Sequence, residues 1–246
     1  MSALPTVAAV MLVDGRQAMV DRAVRSFLAQ TYERADLLVL DTSRAPVTFP
    51  LDERITVVRT KRRDGDTIGS LRNLANEAAR NAHILCHWDS DDYSHPARIA
   101  EQVARMCQVH TEAVHTEQAV VLAQECRDLR NLQVTEVTGY NDLLFWEQTR
   151  KEAWKYKGSP RYSPGAALMY WRETWKRKPF ELTNSGEDNR FISGLRGVYV
   201  SSISDPADPR MVCGVHPGNT TTKILYPVIE WKRVPDFDAV CKAAME

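Results

Sequence analysis

The sequence predicts an α/β fold: a mostly parallel central sheet with helices on both faces and an elaborated C-terminal region. Two observations lead there. Over roughly the first hundred residues, short apolar runs alternate with segments whose apolar positions recur at helical spacing. The apolar runs are continuous, with no polar residue at every second position, as expected of strands buried on both faces. A chain of 246 residues suits one domain of this kind.

The elements follow in order. Residues 7–13 are an apolar run and the first strand. Asp14-Gly15 makes a turn, after which Val20, Ala23, Val24, Phe27 and Leu28 share one helical face. Residues 37–40 form the second strand, ending at Asp41-Thr42-Ser43, and residues 55–58 the third. A polar loop, 59–67, leads into a helix expected to turn Ile68, Leu71, Leu74, Ala75 and Ala78 inward. Residues 83–88 are the fourth strand, with His83 and His87 as packing residues. Ser94 before Pro96 reads as a helix start, with Ile99, Val103 and Met106 buried. Beyond Gln108 the alternation weakens. Residues 119–123 and 132–138 read as antiparallel strands, 139–164 as a polar, aromatic-rich loop, 165–171 as a strand and 187–195 as a short helix.

Bulk properties exclude some classes. Lys plus Arg and Asp plus Glu both number 32, so a globally basic nucleic-acid binder is excluded, while a local basic patch is not. No apolar run approaches the ~20 residues that span a bilayer. The opening Met-Ser-Ala-Leu-Pro lacks a secretory pattern, and the five scattered cysteines read as reduced thiols. The expectation is a cytoplasmic protein without membrane association.

The chemistry concentrates in His87-Trp88-Asp89-Ser90-Asp91-Asp92. Open α/β sheets bind ligands beyond the carboxyl ends of their strands, and Asp41 and this cluster both follow strands. Packed carboxylates repel one another unless a cation compensates. Oxygen ligands suit Mg2+ or Mn2+, which bridge phosphate oxygens. The plainer reading is that these aspartates cap a turn.

Four blocks together resemble glycosyltransferase family 2, inverting enzymes on the GT-A fold. They are Val24 to Tyr32, Leu38-Val39-Leu40-Asp41-Thr42-Ser43, Gly69 to Asn76, and Asp89-Ser90-Asp91-Asp92; the resemblance covers about residues 7–105. It implies a nucleotide-sugar-binding half at about 1–107 and an acceptor-binding half at about 108–246. Asp41 would bind the nucleotide base, commonly uracil. Arg16 and Arg72 would lie near the nucleotide, and Asp89 would contact the ribose or sugar. Asp91 would be the principal metal ligand, with Asp92 assisting. One departure stands out: the family's Thr-Tyr-Asn-Arg-like stretch is here Val13-Asp14-Gly15-Arg16, which keeps only the arginine.

Inverting transfer needs one general base, on the face opposite the departing diphosphate. Its transition state has oxocarbenium character, and a metal takes the place of a general acid. Gly186-Glu187-Asp188-Asn189-Arg190-Phe191 resembles the family's Glu-Asp motif, implying Asp188 as base with Glu187 on the acceptor side. The alternative is a helix start capped by Ser185. Val215-His216-Pro217-Gly218-Asn219-Thr220 resembles a C-terminal segment whose histidine approaches metal or diphosphate, so His216 joins Asp91 as a candidate ligand and would favour Mn2+.

Residues 150–178 interleave cations with aromatic rings, the ingredients of nucleic-acid binding, and rings also stack on sugars. Trp154, Lys155, Lys157 and Arg161 are the candidate acceptor contacts. The function implied is transfer from a UDP-sugar to a hydroxyl. The acceptor would be a hydroxymethylated pyrimidine in DNA, as in phage-type relatives, or a saccharide or protein hydroxyl. A nucleotidyltransferase of related fold and a catalytically silent binding module are the competing classes.

Overall fold

The structure, a computed structural model, describes residues 4–110, 116–125, 128–157, 164–205, 208–219, 228–233 and 237–243. Its main sheet has seven strands. Four are parallel: β1 (Val7–Val13), β2 (Ala35–Asp41), β3 (Ile55–Arg59) and β4 (Ile84–His87). The two-residue strand β5 (Tyr93–Ser94) belongs to a second sheet. Beyond β4 the main sheet continues through β6 (Thr135–Tyr140), β9 (Met169–Trp171) and β10 (Tyr199–Ile203), in the order β10-β6-β9-β4-β1-β2-β3. β9 runs antiparallel to both β4 and β6, so one continuous sheet joins the N-terminal strands to the C-terminal ones.

Strand period explains the two cores. Val7, Ala9, Met11 and Val13 of β1 point into one, with helices α1 (Gln17–Leu28) and α3 (Arg98–Met106). Ala8 and Val10 point into the other, with α2 (Ile68–Ala78), Trp175 of α6 (Arg172–Arg177) and Phe191 of α7 (Glu187–Gly194). Each large apolar side chain so buried contributes about 1.5–3 kcal/mol. Leu74 and Ala78 break the expectation for α2: both are exposed, because the inward stripe is Leu71, Ala75 and the buried Asn76.

Two buried polar devices hold the carboxyl end of β4. The Trp88 indole N–H donates to the Ala23 carbonyl at 3.0 Å, with its ring edge-on to Phe27. The fully buried Arg98 lies 4.9 Å from that ring and donates to the His87 and Ala166 carbonyls and to Ser94 Oγ. Ser94 is thus a partner of Arg98 within β5 and does not cap α3, which starts after Ala97.

The C-terminal half departs most from expectation. Residues 119–123 lie in a helix, α4 (Thr116–Gln124), whose Ala119 and Ala123 are one turn apart in the core. The expected strand over 132–138 is split: a short α5 (Leu129–Leu132) precedes β6, which is antiparallel to β9 but parallel to β10. Residues 165–171 begin as a 3-10 turn (Gly165–Ala167) before β9. The expected loop over 139–164 carries a hairpin, β7 (Asp142–Glu147) and β8 (Glu152–Lys157). With β11 (Met211–Val215), β12 (Val228–Arg233) and β5 the hairpin builds the second sheet, ordered β12-β8-β7-β11-β5. Helix α8 (Phe237–Ala243) packs Phe237, Val240 and Cys241 against one of its faces. No helix among the described residues is long and apolar enough to cross a membrane.

Candidate active site

A cavity of about 370 Å³ opens between the carboxyl end of the parallel strands, the start of α7 and the second sheet. Arg16, Arg72, Asp89, Asp91, Glu187 and Asp188 line it, and Leu143, Phe145 and Cys213 form its apolar wall. Residues almost a hundred positions apart are therefore brought together. Asp41 is not on that wall. It is buried at the end of β2, where one carboxylate oxygen accepts the Ser43 N–H at 3.0 Å and the other lies 3.8 Å from Arg59 Nε.

Arg72 is the centre of the charge arrangement. It is 7% exposed, yet its Nε donates to Glu187 at 3.2 Å and its Nη2 to Asp89 at 3.3 Å. Burial alone would lower its pKa, but the Asp89 and Glu187 carboxylates outweigh that and raise it. A fixed cation thus holds one acid from each cluster. Its buried Nη1 has no hydrogen-bond partner among the described residues. Losing Arg72 would leave two carboxylates facing each other, which is why such a triad is expensive to break.

Asp188 and Glu187 stand in the first turn of α7, where the helix dipole favours negative charge. Gly186, at φ +71°, precedes the helix, and Ser185 does not cap it. The Asp188 carboxylate accepts the Asn189 N–H at 2.7 Å and lies directly over Gly165, where any Cβ would overlap it. Gly165 is held from beneath. Its carbonyl accepts the His87 Nδ1–H at 2.7 Å, and His87 Nε2 accepts from the Tyr170 hydroxyl at 3.1 Å, which itself accepts from Asn76. Burial, with Arg72 and Arg98 nearby, pushes the His87 pKa well below its usual value despite the Gly165 bond, so the ring is neutral. Gly165, His87, Tyr170 and Asn76 carry no sequence signal for this role, because their partners are 78 to 94 positions away.

Asp91 faces the turn after β11. His216 Nε2 lies 3.0 Å from Asp91 Oδ2, and Asn219 Nδ2 donates to the same oxygen at 2.9 Å. The His216 N–H donates to Asn219 Oδ1 at 2.5 Å. The Gly218 N–H donates to His216 Nδ1 at 3.0 Å, which leaves the ring proton on Nε2, pointing at Asp91. As placed, His216 offers a donor to the cavity and no lone pair. It could ligate a cation only by surrendering the Gly218 N–H. No group of three His, Cys, Asp or Glu ligands occurs among the described residues. Asp91 alone still suits Mg2+ or Mn2+, ions commonly held by one or two carboxylates with substrate phosphates and water. Asp92 turns away, buried, and accepts the Gly214 N–H at 2.9 Å.

The basic, aromatic stretch does not assemble into one surface. Trp154 is 5% exposed and stacks on Phe145, while Trp171 and Trp175 are equally buried. Trp154 is therefore a core residue, and the stacking role expected of it has no exposed ring to act with. Lys155 stands opposite Leu144, on the α8 side of the second sheet, away from the wall formed by Leu143 and Phe145. Lys157 ends β8, but its side chain and all of Arg161 lie outside the described residues. Arg150, Arg172, Lys176, Arg177 and Lys178 each pair with a carboxylate.

Comparison with known proteins agrees with this layout. A sequence profile described as Glycosyl transferase family 2 matches residues 9–170. No curated protein matches the chain closely in sequence. Among solved structures, residues 1–349 of S. aureus TarS in complex with UDP-GlcNAc are similar, with TM-score 0.59 at 14% identity over 89% of this chain and 62% of that one. The mannosyltransferase PcManGT from Pyrobaculum calidifontis, in complex with GDP-Man and Mn2+, has TM-score 0.52 at 14% identity, over 92% of this chain and 59% of that one. GalNAc-T7 with UDP, GalNAc and Mn2+ has TM-score 0.52 at 13% identity, over 87% of this chain and 44% of that one. The chain spans less than two thirds of the length of each.

Proposed function

Because the chain belongs to glycosyl transferase family 2, on the GT-A fold, we propose that it is a metal-dependent, inverting glycosyltransferase that moves a sugar from a UDP-sugar to a hydroxyl. One observation carries this reading: Asp89 and Asp91 from the end of β4, and Glu187 and Asp188 from the start of α7, face one cavity across Arg72. The nucleotide-sugar and Mn2+ named with the similar structures support the donor class and a divalent ion, Mn2+ or Mg2+.

In this mechanism Asp188 accepts the proton of the acceptor hydroxyl. The freed oxygen attacks the anomeric carbon from the face opposite the diphosphate, whose bond breaks with its electron pair, inverting the centre. A bound metal ion, held by Asp91, would neutralise charge on the diphosphate. Asp89 contacts the ribose or sugar, Asp41 the base and Arg16 the nucleotide. Arg72 holds Glu187, the acid beside Asp188, and Asp89 at once, which offsets the repulsion between those two carboxylates.

For the acceptor, we favour a saccharide or protein hydroxyl over DNA, since the described rings of the stretch, Trp154, Tyr170, Trp171 and Trp175, are buried and cannot stack on bases. A donor panel with Mn2+ tests the whole reading, following release of nucleoside diphosphate with simple saccharides, plain DNA and hydroxymethylated DNA as acceptors. Asp188→Asn should lower turnover by about 10²–10⁴-fold, the usual worth of a positioned base, and Asp91→Asn should weaken the response of turnover to Mn2+. Release of pyrophosphate from a nucleoside triphosphate would show a nucleotidyltransferase instead. Donor binding without turnover, indifferent to Asp188→Asn, would show a binding module.

A further inference from the structure

We infer that Arg16 is the cation of the donor's leaving diphosphate and does not read the nucleoside; this rests on the glycosyltransferase reading above. Three independent observations converge on it.

The first is backbone strain. Arg16 adopts φ +63° and ψ +55°, directly after Gly15 at φ +78°. A left-handed arginine costs about 1–2 kcal/mol, and such outliers persist where the surrounding structure holds them for a purpose. Here the two left-handed residues start α1 and send the Arg16 side chain across the cavity mouth. It reaches the turn after β11, two hundred positions along, with Nη1 3.4 Å from the Gly218 carbonyl and 3.3 Å from His216 Nε2.

The second is space. A Cβ on Gly218 would lie 2.9 Å from Arg16 Nη1 and 3.2 Å from the His216 ring. The guanidinium thus lies against a residue with no side chain, and a methyl group there would move the flexible end of Arg16.

The third is proton bookkeeping. Gly218 N–H occupies His216 Nδ1, so Nε2 carries the ring proton. Arg16 Nη1 is always a donor, so the 3.3 Å approach sets two N–H donors against each other. Among the described residues Arg16 makes no ion pair with a carboxylate; its neighbour Asp14 pairs with Arg62. Among the described residues its one backbone acceptor is the long contact to Gly218 O. A guanidinium under-supplied with acceptors, in the cavity that Asp91 also lines, is a layout that a phosphate oxygen satisfies. When the bond between the anomeric carbon and the β-phosphate oxygen breaks, its electron pair stays on that phosphate. The acceptor's proton goes to Asp188, and the charge growing on the leaving group meets the Arg16 N–H donors.

Calorimetric titration separates diphosphate from nucleoside recognition. Wild type, Arg16→Gln, Arg16→Lys and Gly218→Ala are each titrated with UDP, uridine, GDP and guanosine in Mn2+-containing buffer. Arg16→Gln should weaken the bound diphosphate about 10–100-fold, the worth of one charge-assisted contact, and leave the matching nucleoside within about twofold. Arg16→Lys should recover part of the loss, since it keeps the charge without the planar fork. Gly218→Ala should mimic Arg16→Gln with the cation still in the chain, which a simple role in folding would not do. Equal weakening of nucleoside and diphosphate, or none for either, overturns the assignment while the enzyme reading stands. A wild type that binds neither diphosphate removes both.

Discussion

Asp188 depends on a residue with no side chain. Its carboxylate rests over Gly165, so Gly165→Ala should push it aside while removing no titratable group from the chain. A misplacement of about 1 Å can cost on the order of 10²-fold in rate. The expected outcome is a kcat about 10–100-fold lower, with UDP affinity unchanged, checked by steady-state kinetics beside direct UDP titration. At this scale the sequence is partly legible. Asp89, Asp91, Arg72, Glu187 and Asp188 follow from motif blocks, because acids at strand and helix ends have few bland uses in such a pattern. Gly165, Gly218 and Asn219 do not, since what makes them matter is a contact from a distant segment. Trp154 shows the opposite error. An aromatic in a stretch rich in charged residues looks like a surface platform until the strand period turns it inward.

The elements that hold the site are joined by their ends. The start of α2 is fastened to the segment before α7: the Gly69 N–H donates to the Thr183 carbonyl and the Ile68 N–H to Asn184 Oδ1. One turn later, Asn73 Nδ2 donates to the Phe180 carbonyl and its Oδ1 accepts the Phe180 N–H. A Cβ on Gly69 would overlap the Glu181 carbonyl, which is backbone and cannot swing away. Gly69→Ala should therefore cost about 1–3 kcal/mol, the usual price of overpacking. The melting temperature should fall by about 2–4 °C for each kcal/mol, and scanning calorimetry would read it. The parallel strands were readable because burial on both faces leaves continuous apolar runs. Residues 119–123 were not, because a five-residue apolar run fits a strand or a buried helical turn equally well. The β7–β8 hairpin was hidden by its charged ends, Asp142, Glu147, Glu152 and Lys157, which made a strand pair resemble a polar loop.

For the molecule as a whole, the neutral His87 ties stability to pH. Its folded pKa lies well below the value of about 6.5 for a free histidine. Above that value neither state gains a proton and the full stability is present. As pH falls below it, the unfolded chain binds a proton that the folded chain refuses. Stability then drops by up to about 1.4 kcal/mol per pH unit until the folded pKa is reached. His83 and His95, also lowered by burial, act in the same direction. Carboxylates add their own dependence, so the measurement is the difference between wild type and His87→Gln. In urea titrations the destabilisation caused by the variant should shrink between pH 7.5 and 5.5. A constant difference would mean that the ring titrates alike in the folded and the unfolded chain.

The position of β9 sets the limits of modularity. The profile match ends at Tyr170, inside β9, and β9 is the strand that seals the open edge of β4. Severing the chain near residue 107 would free a fragment whose exposed edge, Ile84–His87, is buried on both faces in the whole chain and lacks a partner strand. Such an edge recruits other chains, which makes the fragment prone to aggregation. Keeping the edge of β4 covered therefore takes residues 1–171 together, and with them β5, β7 and β8, three strands of the second sheet.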